Sequence, residues 1–282
     1  MRPASLGIIG LGAIGGSLAW QSRLAGVPRV IGYSLKPAEG VQALRASAIT
    51  ELAHTAIDAA REAELVVLAV PPDPTLELLG SLGSVLQSGA VLTDVCSVKA
   101  PIVKQALVCG LGDRFAGGHP LAGTHETGFD SARPDRFRGC VVYVCETGST
   151  GGHRAGARVA GFWEEVLEAS PVSIEAEAHD RQLAWTSHLP QAIACALSKV
   201  LSDQGLTGVS FGSGARDTTR LAASSPELWV QVLRHNATAV GVALERTEEQ
   251  IAELRRLLLS GDAGALSRYL EAAQGFRQGI ER

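Results

Sequence analysis

The stretch Leu6-Gly7-Ile8-Ile9-Gly10-Leu11-Gly12-Ala13-Ile14-Gly15-Gly16 decides how the chain is read. A short apolar run passes into GxGxxG and then into a predicted helix over 15–25, so the glycines lie between a strand and a helix. In that setting each glycine has its own steric task. Gly10 makes the tight turn, Gly12 lets a pyrophosphate approach the backbone, and Gly15 lets helix and strand pack closely. The helix then aims its unpaired N-terminal N–H groups at the phosphates. The expectation is a dinucleotide site walled by Gly10, Gly12, Ile14 and Gly15, joined by Val70 at the end of a later strand.

Working outward, short β-branched runs at 30–33, 65–70, 90–94, 114–117, 140–145 and 172–174 read as strands, and the Ala- and Leu-rich stretches 40–46, 56–63, 74–86 and 101–109 between the earlier ones read as helices. That alternation predicts an α/β fold, a Rossmann-type domain with a parallel sheet. After about Ala176 strand signals stop and helical periodicity runs through 178–201, 226–259 and 263–280. The predicted organisation is therefore a dinucleotide-binding domain over 1–175 and an all-helical substrate and dimerisation domain over 176–282. The apolar segment 240–244 and the helix at 178–201 are the predicted dimer contacts.

A length of 282 residues leaves room for about two domains. Hydrophobic residues make up 46% and charged residues 19%, a globular balance. With 25 Lys and Arg against 29 Asp and Glu, the net charge of -4 offers no basic surface for nucleic acid. No run reaches the ~18 apolar residues of a membrane span, and the N-terminal segment is too broken by glycine for a signal peptide. Cys96, Cys109, Cys140, Cys145 and Cys195 are odd in number and form no CxxC pair, which predicts reduced thiols in a cytoplasmic protein. The seven histidines show no metal-ligand spacing.

About 20 residues beyond the glycines, an acidic residue at a strand end would accept hydrogen bonds from the ribose of NAD. Here the strand ends Ile31-Gly32-Tyr33-Ser34-Leu35-Lys36. Ser34 takes the acidic position and Lys36 follows two residues later, so a 2′-phosphate would meet a hydroxyl and a cation. The expectation is NADP, with NAD as the alternative.

Chemistry-bearing residues cluster at two further strand ends, Asp94-Val95-Cys96-Ser97-Val98-Lys99 and Gly117-Gly118-His119-Pro120-Leu121-Ala122-Gly123-Thr124. Neighbouring strand ends would bring Ser97 and His119 together beside the nicotinamide. In the helical part, Arg216 and Arg220 are four apart and would share one helix face, suited to an anionic substrate.

These segments, with His179-Asp180 and Ser187-His188-Leu189-Pro190, resemble the prephenate/arogenate dehydrogenase family of tyrosine biosynthesis, in the family's order and over nearly the whole chain. The resemblance implies a homodimer formed by the helical domain and oxidative decarboxylation of a cyclohexadienol. His119 would be the base, Ser97 would orient it and contact the cofactor, and Arg220 would bind the ring carboxylate with Arg216 nearby. Thr124, His188 and Trp229 would line the substrate pocket, with His179 supporting it from behind. Many prephenate-using members carry a second histidine where this chain has Gln191, and an acidic residue where it has His125. Gln191, donor or acceptor, does not decide, and the lost acid removes one attraction for the amine of arogenate that Glu126 beside it would restore; the expectation is prephenate, with arogenate as the alternative. The length leaves no room for a separate regulatory domain, so tyrosine feedback is expected at the active site. A β-hydroxyacid-type dehydrogenase and a non-catalytic NADP(H) sensor are the competing readings.

Overall fold

The computed structural model describes residues 2–123, 126–205 and 210–280. Strand β1 (Ser5–Ile9) is followed by α1 (Ala13–Leu24), β2 (Arg29–Tyr33), α2 (Pro37–Arg45), β3 (Glu51–Leu52), α3 (Ala56–Arg61), β4 (Leu65–Leu68), α4 (Pro72–Leu82), β5 (Val91–Asp94) and α5 (Ala100–Val108). The five strands form a parallel sheet in the order β3-β2-β1-β4-β5. Every residue of β1, β4 and β5 is buried, as continuous apolar strands between two helical layers require. Side chains alternate faces along β1. Leu6 and Ile8 join one core with Leu18 and Trp163, and Ile9 joins the other with Leu68, Ile102 and Phe115.

The strand order reverses between β1 and β4, and ligands bind in the crevice outside the carboxyl ends at such a reversal. Gly10 follows β1 there. Strand β4 closes at Leu68, two residues before its predicted end, which leaves Val70 in the loop at the crevice.

The predicted strand at 114–117 departs from expectation. Strand β6 spans Ala116–Pro120 and pairs antiparallel with β7 (Val141–Glu146), which pairs parallel with β8 (Ser170–Ser173) across the intervening α6 (Thr150–Glu165). A single parallel bridge, Leu92 to Phe115, links this sheet to β5. An apolar run carries no record of strand direction, so the antiparallel neighbour could not be read from it. The predicted proximity of the β5 and β6 ends still holds, because the buried Lys99 ammonium pairs with the Asp94 carboxylate and donates to the Gly118 carbonyl at 2.8 Å.

Beyond β8 the chain is helical among the described residues. Helix α7 (Ala176–Leu183) runs through a π-helical turn, Ala184–His188, into α8 (Leu189–Asp203). Pro190 sits in the first turn of α8, where its missing N–H matters least and the wide turn absorbs its ring. Helix α9 (Ser213–Thr219), a 3₁₀ turn (Arg220–Ala223) and α10 (Pro226–His235) follow.

By backbone proximity the compact units are Met1–Asn236 and Ala237–Arg282, so residues 176–236, the first part of the predicted helical domain, group with the sheet. The reason is packing. Ala176 and Val232 enter the core around Leu68, Asp180 accepts from the backbone N–H groups of Lys99 and Ala100, and Asp73 pairs with Arg234 and His235. The predicted helix over 226–259 breaks at Asn236, whose side-chain amide donates to the Asp180 carbonyl at 2.7 Å. In the second unit, α11 (Ala237–Ser260) and α12 (Ala263–Ile280) are joined by the Tyr269 hydroxyl donating to the Gln250 carbonyl. Leu258, Leu259, Leu270, Phe276 and Ile280 are exposed on this unit. No helix among the described residues is long and apolar enough to cross a membrane.

Candidate active site

A single cavity of about 1280 Å³ runs from the glycine turn past the ends of β4, β5 and β6 to the 3₁₀ turn and α10. Gly10, Gly12, Ile14, Ser34, Lys36, Val70, Ser97, His119, Gln191, Arg220 and Trp229 line it, so most of the predicted site residues meet in one space.

The glycine turn fits a dinucleotide phosphate on steric grounds. Gly10 has φ +100°, and a Cβ there would lie 2.3 Å from the Ala69 carbonyl oxygen. A Cβ on Gly15 would lie 1.8 Å from the Gly10 oxygen; Gly15 is a packing glycine and does not line the cavity. Gly12 is different, since its Cβ would meet only the Gly128 nitrogen at 4.0 Å, leaving an open cradle. Helix α1 begins there with no side-chain cap and no acidic residue in its first turn, so its N–H groups are free for an anion.

At the far end of β2 the sequence-predicted pair has an unforeseen partner. The Ser34 hydroxyl donates to the Glu39 carboxylate at 2.7 Å, and the Lys36 ammonium lies 3.7 Å from the same carboxylate. Glu39 comes from the first turn of α2 and lines the cavity.

His119 stands at the end of β6 with its ring almost buried. Its Nδ1 is 2.8 Å from His179 Nε2, and His179 Nδ1 is 2.8 Å from Asp180 Oδ1. The network fixes the protons. Asp180 accepts from the Lys99 N–H at 2.7 Å and the Ala100 N–H at 2.8 Å at the start of α5, so it serves as the acceptor for His179 Nδ1–H. His179 Nε2 is then a bare acceptor, His119 donates to it through Nδ1–H, and His119 Nε2 keeps its lone pair. Burial holds the His119 pKa well below its usual 6.5, and the nearby His179 ring and Lys99 ammonium push the same way. The ring is therefore neutral near pH 7 and able to take a proton.

This geometry adds a partner to the predicted pair of Ser97 and His119. Ser97 lines the cavity with His119, and a hydrogen bond joins His119 Nδ1 to His179. His179, placed behind the pocket by the sequence reading, makes the contact across 60 residues, and Asp180 and Lys99 complete the support. The adjacency of His179 and Asp180 in sequence was the available signal.

Two substrate-side expectations also change. His188 is fully buried and does not line the cavity; its Nδ1 accepts from Asn236 at 3.0 Å, and its ring meets Trp229 edge-on with centroids 6.0 Å apart. It therefore braces Trp229 from behind, and burial lowers its pKa to about 4. Arg216 does not line the cavity either, because its guanidinium donates twice to the Phe211 carbonyl at 3.0 and 2.8 Å. Helix α9 tightens into the 3₁₀ turn at Arg220, four residues after Arg216. Arg220 alone reaches the cavity, and none of the described ion pairs engages it. Gln191 is buried in the wall with Oε1 unpartnered. Thr124, together with His125, lies outside the described residues. Among the described residues no group of His, Cys, Asp and Glu could hold a metal ion, and all five cysteines are free thiols.

Comparison with known proteins gives this geometry a family. Residues 19–169 match the prephenate dehydrogenase nucleotide-binding domain, and residues 175–272 match the prephenate dehydrogenase dimerization domain. A prephenate dehydrogenase of Bacillus subtilis is 32% identical over 97% of this chain and 75% of its own length. The structure of Aquifex aeolicus prephenate dehydrogenase with hydroxyphenyl propionate and NAD+ is similar with a TM-score of 0.90 and 29% identity, covering 98% of each chain. Arogenate dehydrogenase of Synechocystis is similar with a TM-score of 0.81 and 28% identity, covering 98% of this chain and 99% of its own. Two family domains matched in order, on a fold that carries a dinucleotide cradle beside a neutral buried histidine, place the chain in the prephenate dehydrogenase family.

Proposed function

We propose that the cavity performs the oxidative decarboxylation of prephenate to 4-hydroxyphenylpyruvate, the step of tyrosine biosynthesis that its family carries out. The observation that carries this is the bare Nε2 of His119, fixed by His179 and Asp180 in the wall that also holds the glycine cradle. When bound at Gly10, Gly12 and the start of α1, the nicotinamide dinucleotide supplies the hydride acceptor.

His119 Nε2 takes the proton of the ring hydroxyl as the hydride leaves the same carbon. Arg220 holds the ring carboxylate on the opposite side of the ring. The bond from the ring to that carboxylate then breaks, carbon dioxide leaves, and the electron pair completes the aromatic ring. The resulting phenolate oxygen recovers its proton from His119, which returns to the neutral state. Trp229, braced by His188, and Gln191 wall the space beside Arg220.

Prephenate is the proposed substrate in preference to arogenate. His125 replaces an acid that would attract the amine of arogenate, and this carries the preference; Glu126 beside it lines the cavity and offers a second acid, while Gln191, donor or acceptor, suits either side chain. Initial rates with the two substrates test this, with the higher kcat/KM expected for prephenate. A higher value for arogenate would reassign the substrate and keep the chemistry.

The cofactor is a nicotinamide dinucleotide, NAD or NADP. The expectation of NADP rests on the Ser34 hydroxyl and the Lys36 cation, and both of these engage Glu39. We also propose a cytoplasmic homodimer assembled through the helical region, supported by the match to a dimerization domain and by the exposed apolar side chains of α11 and α12. Sedimentation should give twice the chain mass of 29.4 kDa; a monomer at micromolar concentration would contradict it.

A further inference from the structure

We infer that Glu39 selects the dinucleotide at its adenosine ribose, making this chain specific for NAD and reversing the preference that Ser34 and Lys36 imply when read alone. The inference rests on the dinucleotide reading of the cavity and goes beyond it by naming the selecting residue.

The acidic group that binds ribose hydroxyls in this class of fold usually stands at the end of the second strand. Here that position is Ser34, and the carboxylate arrives from the neighbouring helix, five residues later. Glu39 lines the same cavity as Gly10, Gly12 and Ser34. Its side chain is only 13% exposed, whereas that of Lys36 is 74% exposed. The distinction decides which charge dominates. The carboxylate is fixed by the 2.7 Å hydrogen bond from Ser34 and sits in the first turn of α2, where the helix dipole favours an anion. The ammonium projects into solvent, where its field is screened.

A carboxylate so placed accepts hydrogen bonds from adjacent ribose hydroxyls. A 2′-phosphate would set a second anion against it. The Ser34 hydroxyl cannot offset that repulsion while its proton is donated to Glu39, and the Lys36 charge is already partly balanced by the same group.

Calorimetric binding of NAD and NADP to the intact protein tests the assignment without turnover. The wild-type chain should bind NAD at least about tenfold more tightly than NADP. Glu39→Ala, which frees Ser34 and Lys36, should weaken NAD several-fold and strengthen NADP until the ratio falls to near one or inverts. Glu39→Gln, which keeps the shape and removes the charge, should move the ratio the same way by a smaller factor, with an unchanged melting temperature showing an intact fold. Wild-type protein that binds NADP as tightly as NAD, or a ratio unmoved by either substitution, would overturn the role of Glu39. In that case prephenate turnover with either dinucleotide would leave the proposed function standing. Failure of both dinucleotides to bind would overturn the cavity reading and this inference together.

Discussion

His119→Asn should lower kcat by roughly 10²–10⁴-fold, the range typical for loss of a general base, while cofactor affinity stays close to that of the wild type. The two effects separate because His119 lies at the end of β6 and the phosphate cradle follows β1. Asparagine can still donate a side-chain hydrogen bond toward His179 but has no basic nitrogen to face the substrate. The pH profile of the wild type gives a second reading of the same residue. Burial, the His179 ring and the Lys99 ammonium hold the His119 pKa well below 6.5, so the base is already deprotonated at neutral pH. kcat/KM should therefore stay level from about pH 8 down to 6.5 and decline only on further acidification, as the ring takes up a proton. Full turnover by the variant, or an acid limb centred above neutrality, would remove His119 from the role of base.

Arg220→Ala should raise the KM for prephenate by roughly 10- to 150-fold, since one charge-assisted contact to a carboxylate is worth about 1.5–3 kcal/mol. Among the arginines of this region Arg220 lines the cavity, whereas Arg216 is spent on the Phe211 carbonyl. Arg216→Ala should therefore leave KM within about twofold of the wild type, a contrast that separates a ligand from a neighbour. An unchanged KM in Arg220→Ala would move the carboxylate site elsewhere in the cavity.

The parts of the site that were legible in the sequence are those dictated by local sterics. Gly10 and Gly15 admit no side chain because backbone atoms stand where a Cβ would go, and that constraint is written in the letters of the turn. His119 was legible because a polar residue at a strand end, flanked by glycine and proline, has no packing reason to be there.

What escaped depends on contacts between distant segments. The hydrogen bond at His119 Nδ1 crosses 60 residues to His179, and the anchoring of Asp180 by the start of α5 crosses about 80, so neither follows from spacing. The hydrogen bonds from Arg216 to the Phe211 carbonyl, which draw it away from the cavity that Arg220 lines, do not follow from the four-residue spacing of the two arginines. Glu39 is not legible from the strand-end position, because the fold delivers the carboxylate from the helix that follows. The two family domains meet near the 175/176 boundary read from the sequence, but that reading could not show that Ala176 and Val232 pack into the core of the sheet domain.

The central claim, that hydride removal and loss of the ring carboxylate are one reaction at this site, is tested most directly by the stoichiometry of products from prephenate. Reduced dinucleotide and carbon dioxide should be released by the purified protein in equal amounts, and the rates of both should fall together, by the same factor, in His119→Asn. Reduced dinucleotide without matching carbon dioxide, or neither product from the folded wild-type protein, would contradict the account.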